Sequence, residues 1–291
     1  FILAQQKGNG GWAVNFFMDG SRHLWDFGDR KNEHDQVGMA IWIVYEYYVR
    51  VRDLDWLKAK WPAVEKAAGF LLRNMTPGGL VGPCRDLWEL DTDKTWTFTN
   101  GAVFAGLKAA AEIAGLVGEN DSKVRFMNAA ETVRQAIREQ LWSQKSGAFV
   151  RGRNVESGEA DTTLEAANLC LGFPFDVLSY GDKRLAMTAE RVSAALATPL
   201  GGIRRYQNDP YYGGKPWPVT TDWLAIHYAR SGDLERARKL HRTVTDYAFE
   251  TGSLLLGEQF DEERHLWLSA LPLTWSEAKY VLASLDLYGA K

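Results

Sequence analysis

Apolar residues recur along the chain at helical spacing, and two kinds of helix alternate. Residues 35–51 are apolar nearly all round, as a helix covered on every side must be. Residues 53–73 instead carry Leu57, Trp61, Val64, Ala68 and Leu71 on one stripe, with Lys and Arg opposite, which suits an outer position. The alternation repeats. Residues 96–118 are again apolar and rich in small side chains, and 121–142 carry a single stripe through Phe126, Ala130, Val133, Ile137 and Leu141. A third pair is predicted at 161–171 and 181–198, a fourth at 217–231 and 233–249, and a last buried-type helix at 272–288. Strand signals are confined to short stretches such as 148–151.

Buried-type helices therefore begin near positions 35, 96, 161, 217 and 272. That spacing is too long for tetratricopeptide or ankyrin arrays, which repeat in roughly 33–34 residues. Helical hairpins of this length, apolar inside and amphipathic outside, predict an all-α closed toroid whose inner ring is shielded by an outer one. Links from inner to outer helices are short, at Arg52, 119–120 and 231–232. The return links are long, at 75–95, 143–160, 199–216 and 250–271, and all of them meet inner helices at their N-termini. Long loops on a rigid scaffold carry function, so the site is expected there.

Composition narrows the classes. The 291 residues are 46% hydrophobic and 12% aromatic, which excludes disorder. A net charge of -3 gives no reason to expect nucleic acid as a partner. The longest apolar run, beginning at Met39, stops at Glu46, far short of the ~20 residues that span a bilayer, so no membrane partner is expected. Two cysteines and five histidines without ligand spacing predict no metal and no cofactor. The chain opens at Phe1 with neither Met nor a signal-like stretch, as a processed protein or an internal fragment would, and the expected location is cytoplasmic.

The long loops interleave carboxylates with indoles and phenols. Trp12, Trp25, Trp88, Trp96, Trp217, Trp267 and Trp275 fall in them or at the first residue of an inner helix. Flat apolar faces beside acceptors and an Arg suit sugar rings, which makes an oligosaccharide or polysaccharide the expected partner. Glycoside hydrolysis needs two carboxyl groups, one acid and one base or nucleophile. Glu89 beside Trp88 has a route to a raised pKa by desolvation, and Glu258 beside Gln259 has a polar setting that suits a base. Bland readings stand beside these. Arg205 has a potential ion-pair partner in Asp209, Trp217 and Trp275 open inner helices as rim core would, and Asp19, Asp35 and Asp161 suit turns or helix caps.

Four motifs in order then resemble glycoside hydrolase family 15, the glucoamylase and glucodextranase family, in its prokaryotic branch. They are Asp86-Leu87-Trp88-Glu89; Arg205-Tyr206-x-x-Asp209-x-Tyr211-Tyr212-x-Gly-x-Pro216-Trp217; Glu258-Gln259-Phe260-Asp261; and Leu273-Thr274-Trp275-Ser276. The resemblance covers essentially the whole chain and implies an (α/α)6 barrel. It implies Glu89 as general acid and Glu258 as general base of an inverting, exo-acting α-glucoside hydrolase. Such an enzyme releases β-glucose from non-reducing ends of starch- or dextran-type oligosaccharides. It places Asp19, Asp86, Arg205 and Asp209 among the substrate-binding or loop-orienting groups, with Trp12, Trp88, Trp217 and Trp275 lining sugar subsites. Trehalose hydrolysis on the same scaffold, or a non-catalytic sugar-binding toroid, are the alternatives. The chain departs from the family at Leu90, where a second acid is frequent, and in having no Arg-Asp pair on a first inner helix. With five inner helices countable, residues 1–291 are expected to form a single catalytic-domain fragment, missing the first hairpin and any N-terminal β-sandwich domain.

Overall fold

The computed structural model describes residues 1–17, 19–21, 33–90 and 93–289; Trp25 lies outside them. The described residues are mainly α-helical: α1 (Asp35–Val51), α2 (Leu54–Arg73), α3 (Thr97–Val117), α4 (Asn120–Gln140), α5 (Lys183–Leu196), α6 (Pro218–Ser231), α7 (Leu234–Glu250) and α8 (Thr274–Tyr288). The all-α expectation holds, and the inner and outer pattern is visible in burial. Leu57, Trp61, Val64 and Leu71 are buried on α2, and Phe126, Ala130, Val133 and Ile137 on α4.

One expected inner helix is different. Residues 160–161 form a strand, and only Ala166–Leu171 coil, as a 3-10 helix. Gly172 ends that helix, and Pro174 disfavours helical backbone at the residue before it, so propagation stops after six residues. Asp161 is accordingly no helix cap; its carboxylate lies 3.5 Å from Lys94 Nζ.

The chain divides into two compact units, and the thread passes between them more than once. One contains Phe1–Trp142 and Arg151–Asp161, the other Ser143–Val150 and Thr162–Lys291.

In the first unit α3 is the central helix, packed by α1, α2 and α4. Its length of 21 residues and mean hydropathy of 1.2 would suit a bilayer, but 72% of its apolar stretch is covered by protein, as in a core helix. Backbones of α1 and α3 meet at Gly38 and Gly106. A Cβ on Gly38 would lie 2.4 Å from the Ala102 carbonyl oxygen, and one on Gly106 would lie 2.5 Å from that of Gly38. Only hydrogen fits at this crossing. A three-stranded antiparallel sheet joins Lys94–Trp96 to Gly152–Asn154, with Trp96 opposite Gly152, and then to Ala160–Asp161.

In the second unit α6 is buried against α7, α8 and the 3-10 helix. A two-stranded hairpin, Gln259–Asp261 with Leu266–Leu268, sets Phe260 opposite Trp267. The three helices are cross-linked inside. His241 of α7 places Nδ1 3.0 Å from Asp222 Oδ1 of α6 and Nε2 2.9 Å from Ser284 Oγ of α8.

Two helices expected to be covered all round are not. On α1, Ile43, Tyr47 and Val51 are each about half exposed at four-residue spacing, and on α8 Val281, Leu285 and Tyr288 are more exposed still. The α1 stripe borders an apolar groove of about 570 Å³, lined by Phe1, Ile2, Ala40 and Trp56 among others.

Candidate active site

In the first unit the loop between α2 and α3 is pinned from below. Buried Asn100 of α3 accepts from the Val81 amide (2.7 Å) and donates to the Val81 and Trp96 carbonyls. Trp96 Nε1 donates to the Cys84 carbonyl (2.8 Å). Above these pins runs the turn Asp86-Leu87-Trp88-Glu89. Asp86 is buried and both its oxygens face protein donors: Oδ1 accepts from the Leu90 amide (2.7 Å) and Oδ2 from Arg151 Nη2 (2.5 Å). The Arg151 guanidinium also lies over the Trp96 ring, 5.3 Å from its centre. Glu89 closes the turn with its amide donating to the Asp86 carbonyl (3.0 Å), while its own carbonyl accepts from Arg85 Nη1 (3.2 Å). Its φ of +62° is a left-handed conformation that a non-glycine residue adopts only where its surroundings impose it, at about 1–3 kcal/mol.

Desolvation of Glu89 by Trp88 does not occur: Trp88 is buried and Glu89 exposed. The desolvated carboxyls of this unit are Glu33 and Asp35. Burial pushes Asp35, the first residue of α1, up to about 7, and the charge of Asp86 adds to the effect. Glu33 is pushed up to about 9, first by burial and then by the charges of Asp35, Glu89 and Asp86, with Arg85 opposing. Its Oε2 accepts weakly from Gln36 (3.4 Å), and its buried Oε1 has no hydrogen-bond partner. Asp35 was expected only as a cap or turn acid. Glu33 drew no functional reading, although a carboxylate pair flanking His34 at the start of an apolar helix was the available signal.

Trp12 is buried, its Nε1 donating to the Ile2 carbonyl (2.8 Å). Asp19 is exposed, and its carboxyl is held below the usual range by the Ser21 hydroxyl (2.6 Å) and amide (2.8 Å).

In the second unit Glu258 precedes the strand Gln259–Asp261 and extends its pairing, its amide donating to the Ala270 carbonyl (3.0 Å). Glu258 Oε2 accepts from Ser269 Oγ and from the Ala270 amide (3.4 Å). Ser269 holds a φ of +63° and lies 3.0 Å from the Tyr211 phenol oxygen.

The loop that supplies Tyr211 is built on a buried ion pair. Arg205 Nε and Nη2 donate to the two oxygens of Asp209 at 2.7 Å each, a bidentate match. The Arg205 guanidinium faces the rings of Tyr211 (4.7 Å) and Trp217 (4.9 Å). Gly214, at φ +66°, closes the loop where a Cβ would sit 2.4 Å from the Asp209 carbonyl oxygen. Gln259 Nε2 donates to the carbonyls of Tyr211 (3.1 Å) and Lys215 (3.4 Å), and the Phe260 amide to that of Pro216 (3.0 Å). The loop is thus lashed to the strand that follows Glu258. Trp217 is buried as the N-cap of α6, and Trp275 is half-buried, edge-on to Trp223 at 5.4 Å. The exposed aromatic faces of this loop are Tyr211 and Tyr212, which the sequence reading left unassigned.

Glu89 and Glu258 therefore belong to different units, each with its own supporting shell. Among the described residues no group of three His, Cys, Asp or Glu is arranged to hold a metal ion. The Asp222–His241–Ser284 series follows the order of a nucleophile triad. Ser284, however, lies inside α8, whose amides are engaged in the helix, so no neighbouring N–H faces an oxyanion.

The class of protein, a glycoside hydrolase, is shown by the sequence profile that the chain matches. The chain belongs to the glycosyl hydrolases family 15, whose sequence profile matches residues 34–285 and so takes in both carboxylates. Uncharacterized glycosyl hydrolase MJ1610 of Methanocaldococcus jannaschii is 29% identical over 298 residues, an alignment covering 97% of this chain and 45% of that protein. Isomaltose glucohydrolase of Kribbella flavida is 29% identical over 284 residues, covering 92% of this chain and 66% of the relative. The chain thus spans about half to two thirds of the length of these relatives. The fold is shared with a bacterial glucoamylase crystallised with acarbose, at a TM-score of 0.76 and 19% identity, over 98% of this chain and 45% of the other.

Proposed function

We propose that this chain carries the catalytic carboxylates of an inverting, exo-acting α-glucoside hydrolase. It releases β-glucose from the non-reducing ends of starch- or dextran-type oligosaccharides. The observation that carries the reading is the opposite setting of the two carboxylates. Glu258 presents an oxygen to two hydrogen-bond donors, whereas Glu89 stands exposed at the end of a turn whose carbonyl at Asp86 accepts its amide. Glu89 donates its proton to the departing glycosidic oxygen. Glu258 takes a proton from the water that attacks the anomeric carbon on the other face, which inverts it. Arg205, fixed by Asp209, orders the loop whose phenol faces are open to a sugar ring.

Anomer-resolved proton NMR of the full-length protein with maltotriose, isomaltotriose and trehalose tests this. β-Glucose is expected to appear first, from a trisaccharide. α-Glucose first would mean retention and a misassigned nucleophile, and turnover of trehalose alone would move the substrate class. Glu89→Gln and Glu258→Gln are each expected to lower kcat by about 10²–10⁴-fold. Retained turnover in either variant overturns the assignment.

A further inference from the structure

We propose that Asp222, His241 and Ser284 form a proton-operated joint between α6, α7 and α8, locked when it gains a proton and slack when it loses one. The inference stands apart from the assignment of Glu89 and Glu258.

The three groups meet inside the second unit, end to end. His241 sets Nδ1 3.0 Å from Asp222 Oδ1 and Nε2 2.9 Å from Ser284 Oγ. Asp222 is fully buried and His241 nearly so. The imidazole stacks on the Tyr280 ring of α8, 4.4 Å between centres, and the Tyr280 phenol oxygen lies 3.0 Å from Thr245 Oγ1 of α7. Arg230 of α6 grips Asp286 of α8 at 2.6 and 3.1 Å, a second tie that does not involve the imidazole. Asp222 Oδ2 is the unusual atom, because it is buried and has no hydrogen-bond partner. Such an oxygen is costly when its group is charged and far less so once the charge is cancelled.

Counting hydrogens gives two states. With one hydrogen on the Asp222–His241 pair, the 3.0 Å contact puts it on Nδ1, and Nε2 accepts from the Ser284 hydroxyl. The pair then carries a buried negative charge. A second hydrogen cancels it. Whichever partner holds that hydrogen, Nε2 now bears one and donates to Ser284 Oγ, whose own hydrogen turns to the carbonyl four residues earlier. The neutral state is the locked one. Burial acts in that direction and pushes Asp222 up to about 6, opposed by His241 and by Lys279 of α8. Lys279 is itself held below the usual lysine range by burial. The stability that Asp222 supplies is therefore complete below its ordinary value of 3.8 and is lost as pH rises through about 6. The joined helices begin at aromatic residues of the long loops, with Trp217 capping α6 and Trp275 in the first turn of α8.

Nitrogen NMR of the histidine rings in the wild-type chain tests the two states. His241, identified by its nuclear Overhauser contact with Tyr280, is expected to show a bare Nε2 at about pH 8 and a protonated one at about pH 5. In urea, Asp222→Asn is expected to share the wild-type midpoint at about pH 4.5. At about pH 8 it is expected to exceed it, with an unfolding constant about tenfold smaller than wild type. A hydrogen on Nε2 at pH 8 would overturn the proposal, and so would a midpoint difference that is the same at both pH values. The first measurement needs no variant, so a misfolded Asp222→Asn does not shield the joint from refutation.

Discussion

Asp86 and Arg151 lie 65 positions apart in sequence and meet at 2.5 Å, both nearly closed to solvent. Removing one partner of such a pair leaves an uncompensated charge, which typically costs about 3–5 kcal/mol. Arg151→Met is therefore expected to destabilise the protein by about 3 kcal/mol in urea unfolding and to depress turnover, because the turn bearing Glu89 loses its anchor. Glu33 and Asp35 carry a pH signature. Their folded-state pKa values are raised to about 9 and 7 by burial, so folding favours their protonated forms. The stability they supply is complete below pH 4 and is lost as pH rises, through about 7 for Asp35 and 9 for Glu33. Thermal unfolding of Glu33→Gln is expected to show a flatter decline than wild type between pH 5 and 9, the two differing by at least ~1 kcal/mol at the alkaline end. An identical slope would mean that Glu33 is ionised in the folded protein. Glu89 and Glu258 stood out in the sequence as candidates because their motifs are contiguous. Glu33, Tyr211 and Ser269 did not, since their significance comes from burial and from partners the string does not place beside them.

Periodicity served the helices well, because a covered or half-covered helix repeats its apolar positions over many turns. It failed at 161–171, where Gly172 and Pro174 cut the pattern short, and at strands of two or three residues, too brief to show a period. The pairing of Trp96 with Gly152 joins segments whose own sequences reveal nothing of each other. Small residues were read as a general property of 96–118, but the structure separates them. Gly106 faces the backbone of Gly38, whereas a Cβ on Gly115 of the same helix would meet only the flexible end of Lys123, 3.1 Å away. Gly106→Ala is expected to cost about 2–3 kcal/mol by overpacking, and Gly115→Ala to be neutral or slightly stabilising. Equal denaturation midpoints for the two variants would contradict the backbone contact.

The hydrophobic pattern of α1 and α8 exceeds what the structure covers. Stripes of this kind mark surfaces that meet something apolar. Ile43→Glu is expected to shift the Tm by no more than a few degrees, because the side chain is about half exposed. A large fall in Tm would show that the stripe already contributes to this fold. The division into units also bears on synthesis. Arg151 and the strands that complete the first unit belong to Arg151–Asp161, which the chain reaches only after entering the second unit at Ser143. A nascent chain that has emerged through α4 has made Glu89, the turn that presents it and the tryptophan beneath, but not the arginine that locks Asp86. Glu89 can be translated early, yet the anchored shape of its turn has to wait for residues delivered by a later part of the message.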